Sequence, residues 1–238
     1  TNELLTSVTS YIEVSNDKAI IALFEEMHYA DIAEILDELS FENVIYIIKL
    51  LDSEKTSAVL MELDEDIREK TLQKLSAKEI AEEVEELDSD DAADIIGELS
   101  EERQEAVMSQ IEDEEHVKEI EELLAYDEDS AGGLMAKELV KVNENWTVLK
   151  CVKEMRTQAE EVTRVHSIYV VDDEDKLKGR LSLKDLLITS TKTAISEVYI
   201  PKVDFVNVHD NLDEVSNKMR KYDLEAIPVV DNNGVLLG

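Results

Sequence analysis

The sequence has 238 residues, 43% of them apolar, with 58 acidic against 24 basic side chains and a formal charge of −34. That apolar content supports a folded core, while the charge excludes a nucleic-acid binder that displaces counterions from phosphates and disfavours an anionic membrane surface as a direct partner. The length allows one large domain or two ordinary ones.

The charge is concentrated at the front. Residues 1–127 hold 38 acids and 9 bases, net −29, and residues 128–238 hold 20 and 15, net −5. Such a shift predicts two kinds of domain. The first stretch is a repeat: Leu39, Leu51, Leu63, Leu75, Leu87 and Leu99 fall at a strict twelve-residue period that Ile111 continues. The next residue is Ser40, Asp52, Asp64, Ser76, Asp88 or Ser100, each a preferred helix N-cap. After each cap, apolar residues tend to recur at the fourth, seventh, eighth and eleventh places, as in Val44, Ile47, Ile48 and Leu51 or Ala92, Ile95, Ile96 and Leu99. That is a single-face helical pattern. Each unit is predicted to be a helix of about ten residues, too short to stand alone in water. Stacking then buries the stripes in an all-α, right-packed superhelix or solenoid of short helices over residues 1–127.

Residues 86–99, ELDSDDAADIIGEL, crowd Asp88, Asp90, Asp91 and Asp94 at a helix start. Capping explains Asp88, and the helix dipole favours Asp90 and Asp91 in the first turn. Asp94 is not explained that way, because Asp90 and Asp94 are like charges one turn apart. Two readings stand: a solvated acidic face, or ligands for a cation. The stretch EDSAGGLM (128–135) holds the Gly–Gly pair and marks the boundary near 127–135.

The second half is a different repeat. SIYVVDDEDKLKG (167–179) and AIPVVDNNGVLLG (226–238) agree at six of thirteen positions. Each reads as a buried strand, a polar turn and a second strand, with Asn233-Gly234 as a hairpin signal. An amphipathic helix precedes each, striped by Val148, Cys151, Val152 and Met155 or by Leu212, Val215 and Met219. Pro201 falls in the connection between copies. The first copy continues into RLSLKDLLI, whereas the second stops at Gly238, so the chain reads as ending in mid-repeat. Cys151 is the sole cysteine and allows no intrachain disulfide. The four histidines have no zinc spacing. No signal peptide or membrane-length apolar run is visible, which predicts a soluble chain.

The second half resembles a pair of CBS (cystathionine β-synthase) domains, β-α-β-β-α repeats marked by Ile227-Pro228-Val229-Val230-Asp231. The order of an acidic twelve-residue helical repeat, then YDEDSAGGLM (126–135), then a CBS pair resembles the cytosolic region of MgtE-type magnesium transporters. The resemblance implies domains at 1–127, 128–200 and 201–238, the last incomplete, and a membrane-spanning domain beyond. It implies a homodimer joined through the CBS domains at the cytoplasmic face of the cell membrane. It implies Mg²⁺ held between helical and CBS domains in a closed state.

The charge of this chain suits that expectation. Two carboxylates about 5 Å apart repel by about 3 kcal/mol at an effective dielectric near 20. Mg²⁺ takes oxygen ligands, keeps several waters and often uses only one or two carboxylates. By resemblance, Asp90 and Asp94 contribute to the Mg²⁺ sites with Asp91 beside them, and Asp213 and Asp223 contribute from the second CBS domain. Ala58 replaces an acid that the family can carry. CBS pairs often bind adenosine nucleotides. In GRLSLKD (179–185) the resemblance implies Asp185 for ribose and Ser182 and Lys184 towards phosphate of ATP or another adenine nucleotide, with Leu224 where an aromatic can stand.

DDEDKLKG (172–179) lacks the sixth-place Gly and twelfth-place Glu of a calcium loop. No nucleophile elbow or phosphate loop accompanies the many carboxylates, so the chain is read as no enzyme. The competing reading is a helical scaffold for a protein partner, regulated by nucleotide at the CBS domains.

Overall fold

The computed structural model describes residues 2–160, 162 and 164–238. It divides into two units: one reaches up to Leu87 and resumes over Asp91–Val117, and the other comprises Asp88–Asp90 and Lys118–Gly238.

The first unit is helical. It holds α1 (Asn2–Glu13), α2 (Asp17–Glu25), α3 (Tyr29–Asp37), α4 (Phe41–Ile48), α5 (Ser53–Glu62), α6 (Glu65–Leu72), α7 (Ala77–Val84), α8 (Ser89–Gly97) and α9 (Glu101–Met108). The next helix, α10 (Glu114–Leu124), belongs to this unit as far as Val117. The periodic polar residues start these helices: Ser40, Asp52, Asp64, Ser76 and Ser100 all stand at N-caps. Asp52 accepts the Lys55 amide at 2.9 Å and Asp64 the Asp66 amide at 3.1 Å. Ser76 makes a full capping box, its hydroxyl accepting the Glu79 amide while the Glu79 carboxylate accepts the Ser76 amide. Those bonds hold the Glu79 carboxyl below its ordinary range, helped by Lys49 at 3.0 Å. Replacing Ser76 by alanine is expected to cost about 1 kcal/mol in urea unfolding. An unchanged midpoint would show that the box contributes nothing.

Helices α4 to α9 span eight to ten residues. The periodic leucine falls past the helix end, where the chain tightens to i→i+3 bonds: Leu75 N to Leu72 O, Leu87 N to Val84 O and Leu99 N to Ile96 O. Alternate helices stack. Helix α3 packs on α5, α5 on α7, α7 on α9, and α4 on α6. The twelve-residue sequence period therefore folds as a twenty-four-residue structural one.

The seventh place after each cap faces the core, as Ile47, Val59, Thr71, Ile95 and Val107 are all buried. Glu83 takes that place in α7. The fourth place is buried in Val44, Thr56, Ile80 and Ala92, and Arg68 takes it in α6.

The second unit carries the CBS-like repeats. It holds α11 (Ala131–Leu134), β1 (Val140–Asn143), α12 (Val148–Glu160), β2 (Ile168–Val171), β3 (Leu177–Leu181) and α13 (Leu183–Ile188), then β4 (Val206–Asn207), α14 (Leu212–Tyr222) and β5 (Val229–Val230). Strands β1 and β2 are parallel with Val140 opposite Ile168, and β2 and β3 are antiparallel with Ile168 opposite Leu181. Strand β2 is buried along its whole length. Ile168 and Val170 face a core of Val140, Val142, Val148, Cys151, Leu181, Leu186 and Ile195, while Tyr169 and Val171 pack with Leu236. That two-sided burial explains an unbroken apolar run instead of alternation.

The second copy pairs β4 with β5 in parallel. Its hairpin narrows to a bridge between Val230 and Leu236, held by Asp231 N to Val235 O, Leu237 N to Val229 O and Val229 N to Gly238 O. The two hairpins also bond to one another through Leu177 N to Gly234 O and Leu236 N to Asp175 O. The repeated aspartate shapes each turn. Asp172 Oδ1 accepts the amides of Glu174 and Lys176, and Asp231 Oδ1 those of Asn233 and Val235. These bonds hold both carboxyls below the usual range.

The glycine pair lies where backbones meet. Ala131 N donates to Asp210 O and Gly132 N to Val208 O, while Leu212 N donates to Asp129 O. A Cβ on Gly132 would lie 2.6 Å from Tyr126 Cγ and 2.7 Å from Val208 Cγ2. On Gly133 it would lie 2.3 Å from the Asp127 carbonyl oxygen.

Candidate functional site

Asp91 and Asp94 lie on α8 in the first unit, and Asp90 groups with the second. Asp88, Asp90, Asp91 and Asp94 all have partners within the chain. Near the end of α8 the helical bonding continues through Glu98 N to Asp94 O, so Asp94 and Glu98 share one face. Glu98 meets Arg68 across the stack: Arg68 Nε donates to Glu98 Oε1 at 2.9 Å, and Nη2 reaches the same oxygen. The pair is largely shielded, with side chains 15% and 20% exposed. Glu98 Oε2 is buried without a hydrogen-bond partner. The bond to Glu98 keeps the guanidinium firmly charged, and Glu65 and Asp94 add to the same field.

Glu83 is the second charged group in an apolar slot. Its Oε2 is buried and has no hydrogen-bond partner. Burial, followed by the negative fields of Glu82, Glu86, Asp52 and Glu79, pushes its carboxyl up to about 8. At neutral pH Glu83 is mostly protonated and lowers the unit's negative charge by one.

In the second unit, Ser89 is fully buried. Its amide and hydroxyl donate to the two Glu138 oxygens at 2.8 Å each, and its hydroxyl accepts the Lys137 amide at 2.9 Å. Asp213 is in the first turn of α14, next to the Asn211 cap that accepts the Glu214 amide. Asp223 ends the same helix in the left-handed conformation, φ 52° and ψ 51°. The two are separated by the length of the helix, about 15 Å along its axis, so they cannot ligate one ion together.

Cavities of two kinds lie among the described residues of this unit. One of about 410 Å³ is mainly apolar, walled by Leu134, Met135, Val140, Val215, Met219 and Ile227, with Asp90, Glu138, Arg164, His166 and Glu225 at its polar edges. The other, of about 260 Å³, is polar: Arg180 and Lys202 line it with Asp204, Asp223 and Glu225, and Ser167, Tyr169, Leu224 and Pro228 are among the rest of its wall. Of the residues expected at ion or nucleotide sites, Asp90 lines the first and Asp223 the second. Ser182 stands at the N-cap of α13 without a capping bond, with Lys184 and Asp185 in the following turn. These three line neither cavity. Sequence reasoning missed Arg68, Glu83, Glu98, Arg180 and Lys202. A charge in an apolar slot of the repeat was the available signal for Arg68 and Glu83.

The architecture is that of a short-helix repeat domain followed by a CBS pair. Residues 27–129 match the MgtE intracellular N domain, and residues 131–190 and 195–238 match the CBS domain. A magnesium transporter MgtE of Thermus thermophilus is 42% identical over 113 residues, covering 48% of this chain and 25% of the relative. One of Enterococcus faecalis is 35% identical over 115 residues, with the same coverages of 48% and 25%. The matched stretch thus spans about a quarter of the length of these curated relatives.

Solved structures match along nearly the whole chain. The cytosolic domain of the Mg²⁺ channel MgtE in complex with ATP superposes with a TM-score of 0.90 at 33% identity, covering 98% of this chain and 95% of that one. The soluble part of a magnesium transporter gives 0.84 at 26% identity, covering 100% and 93%. The chain belongs to the MgtE family, as an MgtE N domain followed by a CBS pair. These relatives are named as magnesium transport proteins, not as enzymes. No helix among the described residues is long and apolar enough to cross a membrane.

Proposed function

We propose that the chain is the Mg²⁺-sensing regulatory region of a homodimeric magnesium transporter or channel, at the cytoplasmic face of the membrane. The observation that carries this reading is the match along 98% of the chain to the cytosolic domain of a Mg²⁺ channel. In this reading the domains run 1–127, 128–200 and 201–238. Separate Mg²⁺ ions bridge the acids near the start of α8, Asp90, Asp91 and Asp94, to Asp213 and to Asp223 of the CBS domains, and favour the closed state. The ion shifts the equilibrium only by its differential affinity for that state, and a net charge of −29 on residues 1–127 makes the cation-free closed state costly. The partners are a second copy and the membrane-spanning part of the same transporter. The exposed apolar side chains Leu183, Leu187 and Ile188 of α13 support a face for the second copy.

Nucleotide regulation is a second element, supported by the ATP complex of the relative and by Arg180 and Lys202 at the polar cavity. In this reading Ser182, Lys184 and Asp185, which lie outside the wall of that cavity, approach the ribose and phosphates from beside it. A pure scaffold, the competing function, responds to ATP but not specifically to Mg²⁺. Small-angle scattering of the full chain separates them. MgCl₂ is expected to lower the radius of gyration beyond NaCl of equal ionic strength, and Asp90→Asn with Asp94→Asn to remove that difference. Compaction by millimolar ATP alone, with the two salts equivalent, would favour the scaffold.

A further inference from the structure

Arg68 is out of place in its repeat. It occupies an apolar slot in α6, its side chain is only 15% exposed, and it reaches the residue just past α8 to bind Glu98 through two of its nitrogens. Glu98 uses one oxygen for that pair, and the other is buried without a partner. Asp94 lies one turn before Glu98 on the same face, joined by the Glu98 N to Asp94 O bond. The fixed positive charge is therefore felt by Asp94, one of the aspartates proposed above for a divalent ion.

We propose that Arg68 is a built-in cation that competes with divalent ions for the Asp94 end of α8 and so sets the concentration at which they bind. This rests on the Mg²⁺ reading of Asp90 and Asp94. Glu98 restrains the competitor by holding the guanidinium through one carboxylate oxygen. The physics is Coulombic. A unit charge one helical turn from a divalent ion changes its affinity by about three- to tenfold after salt screening. The two partners consequently act in opposite directions. Removing Arg68 relieves repulsion and tightens ion binding, whereas removing the Glu98 charge leaves the guanidinium uncompensated beside Asp94 and weakens it. A pair that lies outside the field of the ion shifts neither midpoint.

The test is the Mg²⁺ midpoint for compaction of the full chain at constant ionic strength, with circular dichroism confirming the fold of each variant. Arg68→Gln is expected to lower the midpoint about three- to tenfold and Glu98→Gln to raise it by a similar factor. Arg68→Lys, which keeps the charge, is expected to stay near the parent. If Arg68→Gln fails to fold, the rise in Glu98→Gln still decides the matter. Shifts of one sign in both variants, or none, with the Asp90→Asn and Asp94→Asn pair still abolishing the response, would overturn the role of Arg68 alone. A response that survives the aspartate pair would overturn the Mg²⁺ reading, and this proposal with it.

Discussion

Gly133→Ala is expected to destabilise the second unit by about 1–3 kcal/mol. The added carbon would sit 2.3 Å from the Asp127 carbonyl oxygen and 3.0 Å from the Glu128 Cα, both backbone atoms that no rotamer change can move. Relief requires the 127–133 turn to open, which pulls on the Ala131 N to Asp210 O and Gly132 N to Val208 O bonds. Trp146, the sole tryptophan, packs against the core of this unit. Its fluorescence during urea unfolding reads the loss directly. A parent-like midpoint would mean that the turn is loose enough to accept a methyl group.

Glu83→Gln is expected to stabilise the helical unit, and only at higher pH. The carboxyl titrates at about 8 in the fold against 4.5 in the open chain. A raised acid is unfavourable to the fold when ionised. The penalty is absent below pH 4.5, grows between 4.5 and 8, and is complete above 8. Discounted for the group's partial exposure, the gain is about 1–2 kcal/mol at pH 8, or several degrees in thermal unfolding. Circular dichroism melts at the two ends of that range check it. An equal gain below pH 4.5 would mean that packing, not charge, is the cause.

The legible part of the fold was the part written in local chemistry. Caps such as Ser76 and Asp52 signal helix starts because an orphan amide needs a nearby oxygen. The repeated Val-Val-Asp signals a buried strand and a turn because the aspartate closes the turn by itself. The stacking of alternate helices was not legible, since odd and even helices carry the same twelve-residue pattern. Arg68 and Glu98 are thirty residues apart, and nothing local announces their pairing. Glu83 was readable and missed: it stands where Ile47 and Ile95 stand in other copies.

The candidate acids were legible as positions more than as a site. Asp94 stands out because capping and helix-dipole arguments account for Asp88, Asp90 and Asp91 and leave it over, with Asp90 the like charge one turn before it. Asp213 and Asp223 came from resemblance, and α14 puts them at opposite ends of one helix. Arg180 and Lys202 come together only through folding, from β3 and the segment before β4.

The central claim is that Mg²⁺ acts on this chain as a specific ligand and not as ionic strength. The most direct measurement is the radius of gyration of the full chain, titrated with MgCl₂ against NaCl at matched ionic strength, for the parent and the Asp90→Asn, Asp94→Asn pair. The account predicts compaction in MgCl₂ beyond that in NaCl, with the excess lost in the variant. Coincident curves for the two salts would contradict it and leave those aspartates as the acidic start of an ordinary helix.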